Sequence, residues 1–158
     1  NGQKHAAELG MSFAPDILGE IEKIKAADIV VFIAPLWWFN VPALLRGWFD
    51  RVLAKGVAWD DDKVYANGLF RGKQAVLMVS AGHPAEYFTE GGAHSFTLRQ
   101  TLHPINHATL AFCGFDVHEP FVAVGADKLD QEGVEKTLTE LQYRLKNLVA
   151  SPNWLIKY

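Results

Sequence analysis

The 158 residues include 49% hydrophobic and 21% charged side chains, the make-up of an ordinary globular domain, and the length fits one domain with a sizeable core. A net charge of −3 without a basic cluster leaves no electrostatic footprint for nucleic acid or an anionic membrane, and the longest apolar run, Ile29 to Phe39, is too short to span a bilayer. One cysteine, Cys113, excludes an internal disulfide and a cysteine-pair zinc site; with a polar N-terminus that shows no secretory signal, the expected setting is reduced and cytoplasmic.

Pro15 and Asp16 open the first expected helix, with Ile17, Leu18, Ile21 and Ile24 on one face, ending near Ala26. The run Asp28 to Ala34 follows at once. It does not alternate polar with apolar residues, so it reads as a parallel strand buried on both faces. A loop of three aromatics, Trp37, Trp38 and Phe39, lies just beyond its carboxyl end, where open α/β sheets bind their ligands. Flat apolar faces there suit a ring-stacking cofactor, a flavin being the first candidate. They also suit core packing, although adjacent residues of a regular element cannot both point inward.

A second helix begins at Pro42, with Val41, Leu45, Trp48, Phe49 and Val52 as its buried stripe and Arg46 paired to Asp50 on the wet side. Gly47 within it costs about 1 kcal/mol against alanine, a cost that close approach to another backbone would explain. Asp60 to Asp62 read as a solvated turn. The second buried strand, Gln74 to Ser80, runs into Ala81, Gly82, His83 and Pro84. Residues 84 to 96 form a long loop of the kind that is usually functional. A helical stretch from Thr97 contains Pro104 and should kink or break there. It leads through Cys113-Gly114 to a third strand at Phe115 to His118 or slightly beyond. Val134, Leu138, Leu141, Leu145 and Leu148, spaced by four and three, mark the last helix, on which Arg144 reads as solvent-facing. His103 and His107 have metal-ligand spacing, but Pro104 between them and the lack of a third ligand argue against a metal. Cys113 reads as a small buried hydrophobe. Alternating helices and strands specify an α/β fold with a parallel sheet.

The run P-L-W-W-F-N-V-P-A-L-L-R-G-W-F-D-R-V from Pro35 resembles the signature of the flavodoxin-like NAD(P)H:quinone oxidoreductases, relatives of which serve as ancillary subunits of bacterial potassium efflux systems. G-L-F-R-G-K-Q-A-V-L from Gly68 and F-C-G-F from Phe112 resemble the same family's approaches to its fourth and fifth strands. The resemblance implies a flavodoxin-like three-layer sandwich and a flavin, FAD in preference to FMN, lined by Pro35, Leu36, Trp37, Trp38 and Phe39 on one side and by Ser80, Ala81, Gly82 and His83 at its edge. It also implies two-step hydride transfer from NAD(P)H to a quinone, in a homodimer. A tyrosine and a histidine that steady charge in some members fall on Tyr87, with one residue deleted, and on His94, one position from the aligned column at Ser95. On the residues alone, His83 reads either as an exposed loop histidine or as a donor to ligand. The other implied readings are a regulatory subunit docked on a potassium efflux transporter and a non-catalytic interaction domain.

The family opens with a strand, a phosphate-gripping loop, a helix and a second strand that have no counterpart in this sequence. The strand order 2-1-3-4-5 would set the absent first strand beside residues 28 to 34. Those residues are therefore expected at a long apolar edge, the sequence being read as part of a longer protein.

Overall fold

The computed structural model describes residues 13–148, 150, 155 and 156. Helix α1 spans Pro15–Ala26, with proline in its first turn, where a missing N–H costs nothing, Asp16 near the positive end and Lys23 and Lys25 near the negative one. Strand β1, Ile29–Pro35, pairs in parallel with β2, Gln74–Ala81, from Ile29 opposite Gln74 to Pro35 opposite Ser80. Helix α2, Ala43–Val52, lies between them in sequence, and Pro42 caps it rather than starting it.

The other edge of β2 pairs with two short strands in succession, β3 (Asp116–Val117) and β4 (Phe121–Val124). They are one strand interrupted at Glu119-Pro120, since proline has no N–H for the ladder. Helix α3, Leu98–Ile105, begins with a full capping box: the Gln100 N–H donates to Thr97 Oγ1 (3.2 Å) and the Thr97 N–H to Gln100 Oε1 (2.7 Å). The break expected at Pro104 takes the form of a change of pitch. The chain continues as a π-helix, Asn106–Ala111, and the Phe112 N–H reaches back five residues to the His107 carbonyl (3.0 Å). Helix α4, Gln131–Asn147, is capped by Asp130, whose carboxylate accepts the Gly133 N–H at 2.9 Å.

Side chains of β2 alternate between two cores. Ala75, Leu77 and Val79 join Ile17, Ile21 and Ile24 of α1, Phe49 and Val52 of α2 and Leu102 and Ile105 of α3. Val76 and Met78 face the other way, onto Phe121, Leu148 and the partly buried Leu141. These are the three layers of a flavodoxin-like sandwich, but the second outer layer is narrow.

The expectations for β1 and Arg144 need correction. Strand β1 is not buried on both faces: Phe32 is buried, whereas Val31 is 37% and Ile33 70% exposed, because α4 covers only the side of the sheet nearer β4. The α4 stripe is likewise only partly used, with Val134, Leu138 and Leu145 exposed. Gly47 meets no close backbone; a Cβ added there would find nothing within 4 Å. Arg144 is half-buried rather than solvent-facing, its Nη2 donating to the Glu119 carbonyl, and burial lowers its pKa. The Arg46–Asp50 pair forms as expected, at 3.2 Å on the exposed side of α2.

Candidate functional site

At the carboxyl end of β1 the ladder runs one residue further, the Leu36 N–H donating to the Ser80 carbonyl at 2.7 Å. The chain then reverses over Trp37 to Asn40, whose backbone N–H groups donate to each other's carbonyls at 2.8 and 2.9 Å. Both central residues, Trp38 (φ 52°) and Phe39 (φ 60°), are left-handed, as in a type I′ turn, where glycine and asparagine are usual. Holding two bulky residues there costs on the order of 1–2 kcal/mol each. The conformation sends adjacent aromatics apart: Trp38 stands 95% exposed, while Phe39 packs edge-on against His94 (4.9 Å between ring centres) and Phe96 (5.0 Å).

The end of β2 supplies the opposite wall. Leu36, Trp38 and Phe39 face Ala81, Gly82 and His83 across a cleft of about 270 Å³. Phe88 and Asp127 complete the lining. A Cβ at Gly82 would lie 2.9 Å from the Asp127 Cγ, so any larger residue there would require the Asp127 carboxylate to turn away. Asp127 is held near by the turn after β4, where Gly125 (φ 66°) donates its N–H to the His83 carbonyl at 2.9 Å.

The loop after Pro84 folds back on this wall. His83 and Tyr87 stack with ring centres 5.0 Å apart and planes 27° off parallel. His83 Nδ1 and His94 Nε2 are 3.0 Å apart, and the His94 backbone N–H donates to the Tyr87 carbonyl at 3.1 Å. Phe39, Phe88 and Phe96 surround the His94 ring. Residues 83, 87 and 94, distant in sequence pattern, thus form one polar cluster at the mouth of an aromatic cleft.

Of the residues singled out for a cofactor, Leu36, Trp38, Phe39, Ala81, Gly82 and His83 line the cleft, with Tyr87 and His94 beside it. Pro35, Trp37 and Ser80 do not. Pro35 lies on a different surface, Trp37 closes the turn through its backbone, and Ser80 contributes its carbonyl. Phe88 and Asp127 were missed. Asp127 follows the last strand at its carboxyl end, so the rule that pointed to Trp38 could also have found it.

A larger groove, about 830 Å³, runs along the unpaired edge of β1 between α1 and α2. Its floor is the apolar strand from Val30 to Pro35, and it is separate from the His83 cluster. Two other described histidines sit within the fold. His118 is buried and hydrogen-bonds through Nε2 to Gln74 Oε1 (2.8 Å); burial first, then Arg144, depress its pKa, against the opposing pull of Asp116. The His107 ring lies tilted against Tyr65 (5.1 Å between ring centres) and His103 (4.9 Å), and burial lowers its pKa as well. The Cys113 thiol is buried and pushed up to about 12, which makes it inert. None of the described helices is long and apolar enough to cross a membrane.

The profile of the flavodoxin-like fold family matches residues 3–147. The chain is 40% identical over 146 residues to the ribosyldihydronicotinamide dehydrogenase [quinone] of Mus musculus, covering 92% of this chain and 63% of the mouse protein. It is 42% identical over 107 residues to NAD(P)H dehydrogenase [quinone] 1 of Rattus norvegicus, covering 68% of this chain and 39% of that one. Among solved structures, a protein provisionally assigned as a quinone reductase from Klebsiella pneumoniae superposes with a TM-score of 0.83 at 38% identity, over 92% of this chain and 58% of the other. The general stress protein 14 of Treponema denticola, solved in complex with FMN, gives 0.64 at 28%, over 80% and 72%. The chain therefore spans less than two thirds of the first curated relatives it matches. With its parallel sheet and these matches, the chain belongs to the flavodoxin-like NAD(P)H:quinone oxidoreductase family.

Proposed function

We propose that this chain is a single flavodoxin-like domain that forms the ring-binding part of a flavin-dependent NAD(P)H:quinone oxidoreductase. The observation that carries the reading is the cleft itself. Two loops from adjacent parallel strands meet at their carboxyl ends, one presenting exposed aromatic faces and the other a glycine and a histidine. The residues fit the flat part of a flavin, FAD or FMN. Ala81 and Gly82 allow a ring edge to approach the backbone, and Trp38 and Phe39 offer it apolar surface. At about 270 Å³ the cleft is just below the ~300–1,000 Å³ of ordinary small-molecule sites. It suits a ring system, with the cofactor's phosphate end held elsewhere, in this reading by the strand–loop–helix unit that the family places first.

A bound flavin supplies the hydride chemistry, two electrons moving from a nicotinamide to a quinone that use the pocket in turn. The chain's own residues bind and orient. Phe39, Phe88 and Phe96 hold His94 against rotation. Tyr87 and the two imidazoles place hydrogen-bond donors at the mouth of the cleft, where a quinone oxygen gains charge as it is reduced. A homodimer in a cytoplasmic setting completes the reading, the exposed Trp38 being the natural contact for ligand or partner.

Titration of the apoprotein with FAD and FMN tests the assignment. Trp38→Ala should weaken flavin binding about tenfold or more, an effect of ~1.4 kcal/mol and within the range of one aromatic contact. Trp48→Ala, which removes a half-buried ring packed on Phe32, should lower stability and leave flavin affinity nearly unchanged. Equal flavin affinity in a folded Trp38→Ala protein and the parent would overturn the stacking role.

A further inference from the structure

Two interruptions of regular structure meet on the side of the sheet away from the β1 edge. Pro104 leads α3 into the π-helix Asn106–Ala111, where Thr109 Oγ1 donates to the Pro104 carbonyl at 2.9 Å. The strand that ends at Val117 resumes at Phe121 only after Glu119-Pro120. Residues from both interruptions line one cavity of about 320 Å³. It shares no lining residue with the aromatic cleft, and its size falls within the ~300–1,000 Å³ of ordinary small-molecule sites. A π-turn within a helix frequently marks a functional site.

Asn106 distinguishes this cavity from a packing gap. It lines the space, is only 4% exposed, and its Oδ1 is buried without a hydrogen-bond partner. A buried acceptor left unpaired is costly, and native folds keep few of them. The last torsion of an asparagine side chain is broad, so a small turn brings this oxygen to an N–H donor inside the cavity. Arg99 and Glu119 bring opposite charges to the same lining, and among the described residues no ion pair joins them. The Glu119 backbone is held in place by its carbonyl, which accepts from Arg144 Nη2. Leu98, Val122 and Ile156 add apolar surface.

We propose that this cavity binds a free α-amino acid with an apolar side chain. The ammonium group donates to Asn106 Oδ1 and faces the Glu119 carboxylate. The ligand carboxylate meets the Arg99 guanidinium, and the side chain packs among Leu98, Val122 and Ile156. A purely apolar ligand would leave all three polar groups unanswered. A simple anion would give Asn106 no donor and would be repelled by Glu119, and a simple cation would be repelled by Arg99. Only a ligand with both charges and an apolar body matches the whole lining. The site owes nothing to the flavin or quinone reading.

Calorimetric titration of the purified protein with L-leucine tests the site and needs neither flavin nor turnover. Saturable binding with a Kd below about 1 mM is expected. 4-Methylpentanoate, which lacks the ammonium group, and leucinamide, which lacks the carboxylate, should each bind about tenfold more weakly or worse. Asn106→Leu should abolish leucine binding while the melting temperature stays at or above that of the parent, because the unpartnered oxygen is gone. Arg99→Gln, at an exposed position, should weaken binding about tenfold and leave the melting temperature unchanged. No saturable binding at millimolar leucine would overturn the proposal, as would parental affinity in Asn106→Leu or Arg99→Gln. Equal affinity for leucine and either analogue would overturn it too. A protein that binds leucine but takes up no flavin would support this site while contradicting the reductase reading, so the two fail separately.

Discussion

The two faces of the sheet are filled unequally. On one, α1, α2 and α3 bury a continuous core in which Val52, Ala75, Leu77 and Leu102 are 0% exposed. On the other, α4 covers Val76, Met78 and Phe121 but leaves Val31 and Ile33 of β1 open, together with its own Val134, Leu138 and Leu145. The difference shows what a local stretch of sequence can specify. A helix–strand–helix segment carries enough apolar surface to build its own face. The opposite face of an edge strand depends on whatever lies beside it. The candidate cleft is built from the ends of β1 and β2 and the turn after β4, outside both faces.

The strongest way to break the comparison is a pair of truncations. Leu77→Ala, in the filled core, should cost about 2–5 kcal/mol in denaturant unfolding. Ile33→Ala, 70% exposed on the same sheet, should cost no more than about 0.5 kcal/mol in the 158-residue chain. Similar losses at both positions would mean that the open face is covered in solution.

Thr97→Ala removes the capping box of α3, which closes the filled face, and should cost about 1 kcal/mol. A loss at that level would confirm that the helix depends on its cap before Pro104 changes its pitch.

The smallest effect is one of pH. His107 and His118 both have pKa values below the ordinary 6.5, so the native state resists protons that the unfolded chain accepts. Their contribution to stability is present above pH 6.5 and is lost as the pH falls from there through the folded values. His118→Gln should flatten the slope of unfolding free energy against pH below 6.5. An unchanged slope would mean that the His118–Gln74 contact opens readily.

Much of this was legible from the sequence because its signals are local. Proline at the start of α1, the stripe of α2, the Arg46–Asp50 pair and the break after Pro104 each depend on residues within a few positions. The apolar strand followed by Trp37-Trp38-Phe39 located the cleft. Two kinds of information were not legible. Periodicity shows that β1 and α4 have apolar faces but not whether anything covers them, so Ile33 was expected inside. Adjacency in sequence does not say which member of an aromatic run faces a ligand. That was decided by a left-handed turn at Trp38 and Phe39, which no glycine or asparagine announced. The His83–His94 contact depends on how a long loop returns to its own base, and His83 alone left its role open between exposed histidine and donor.

The measurement that tests the central claim most directly is the visible absorption spectrum of the purified protein, recorded before and after NADPH is added without oxygen. The account predicts a flavin spectrum that bleaches on reduction. A colourless protein that takes up neither FAD nor FMN would contradict it.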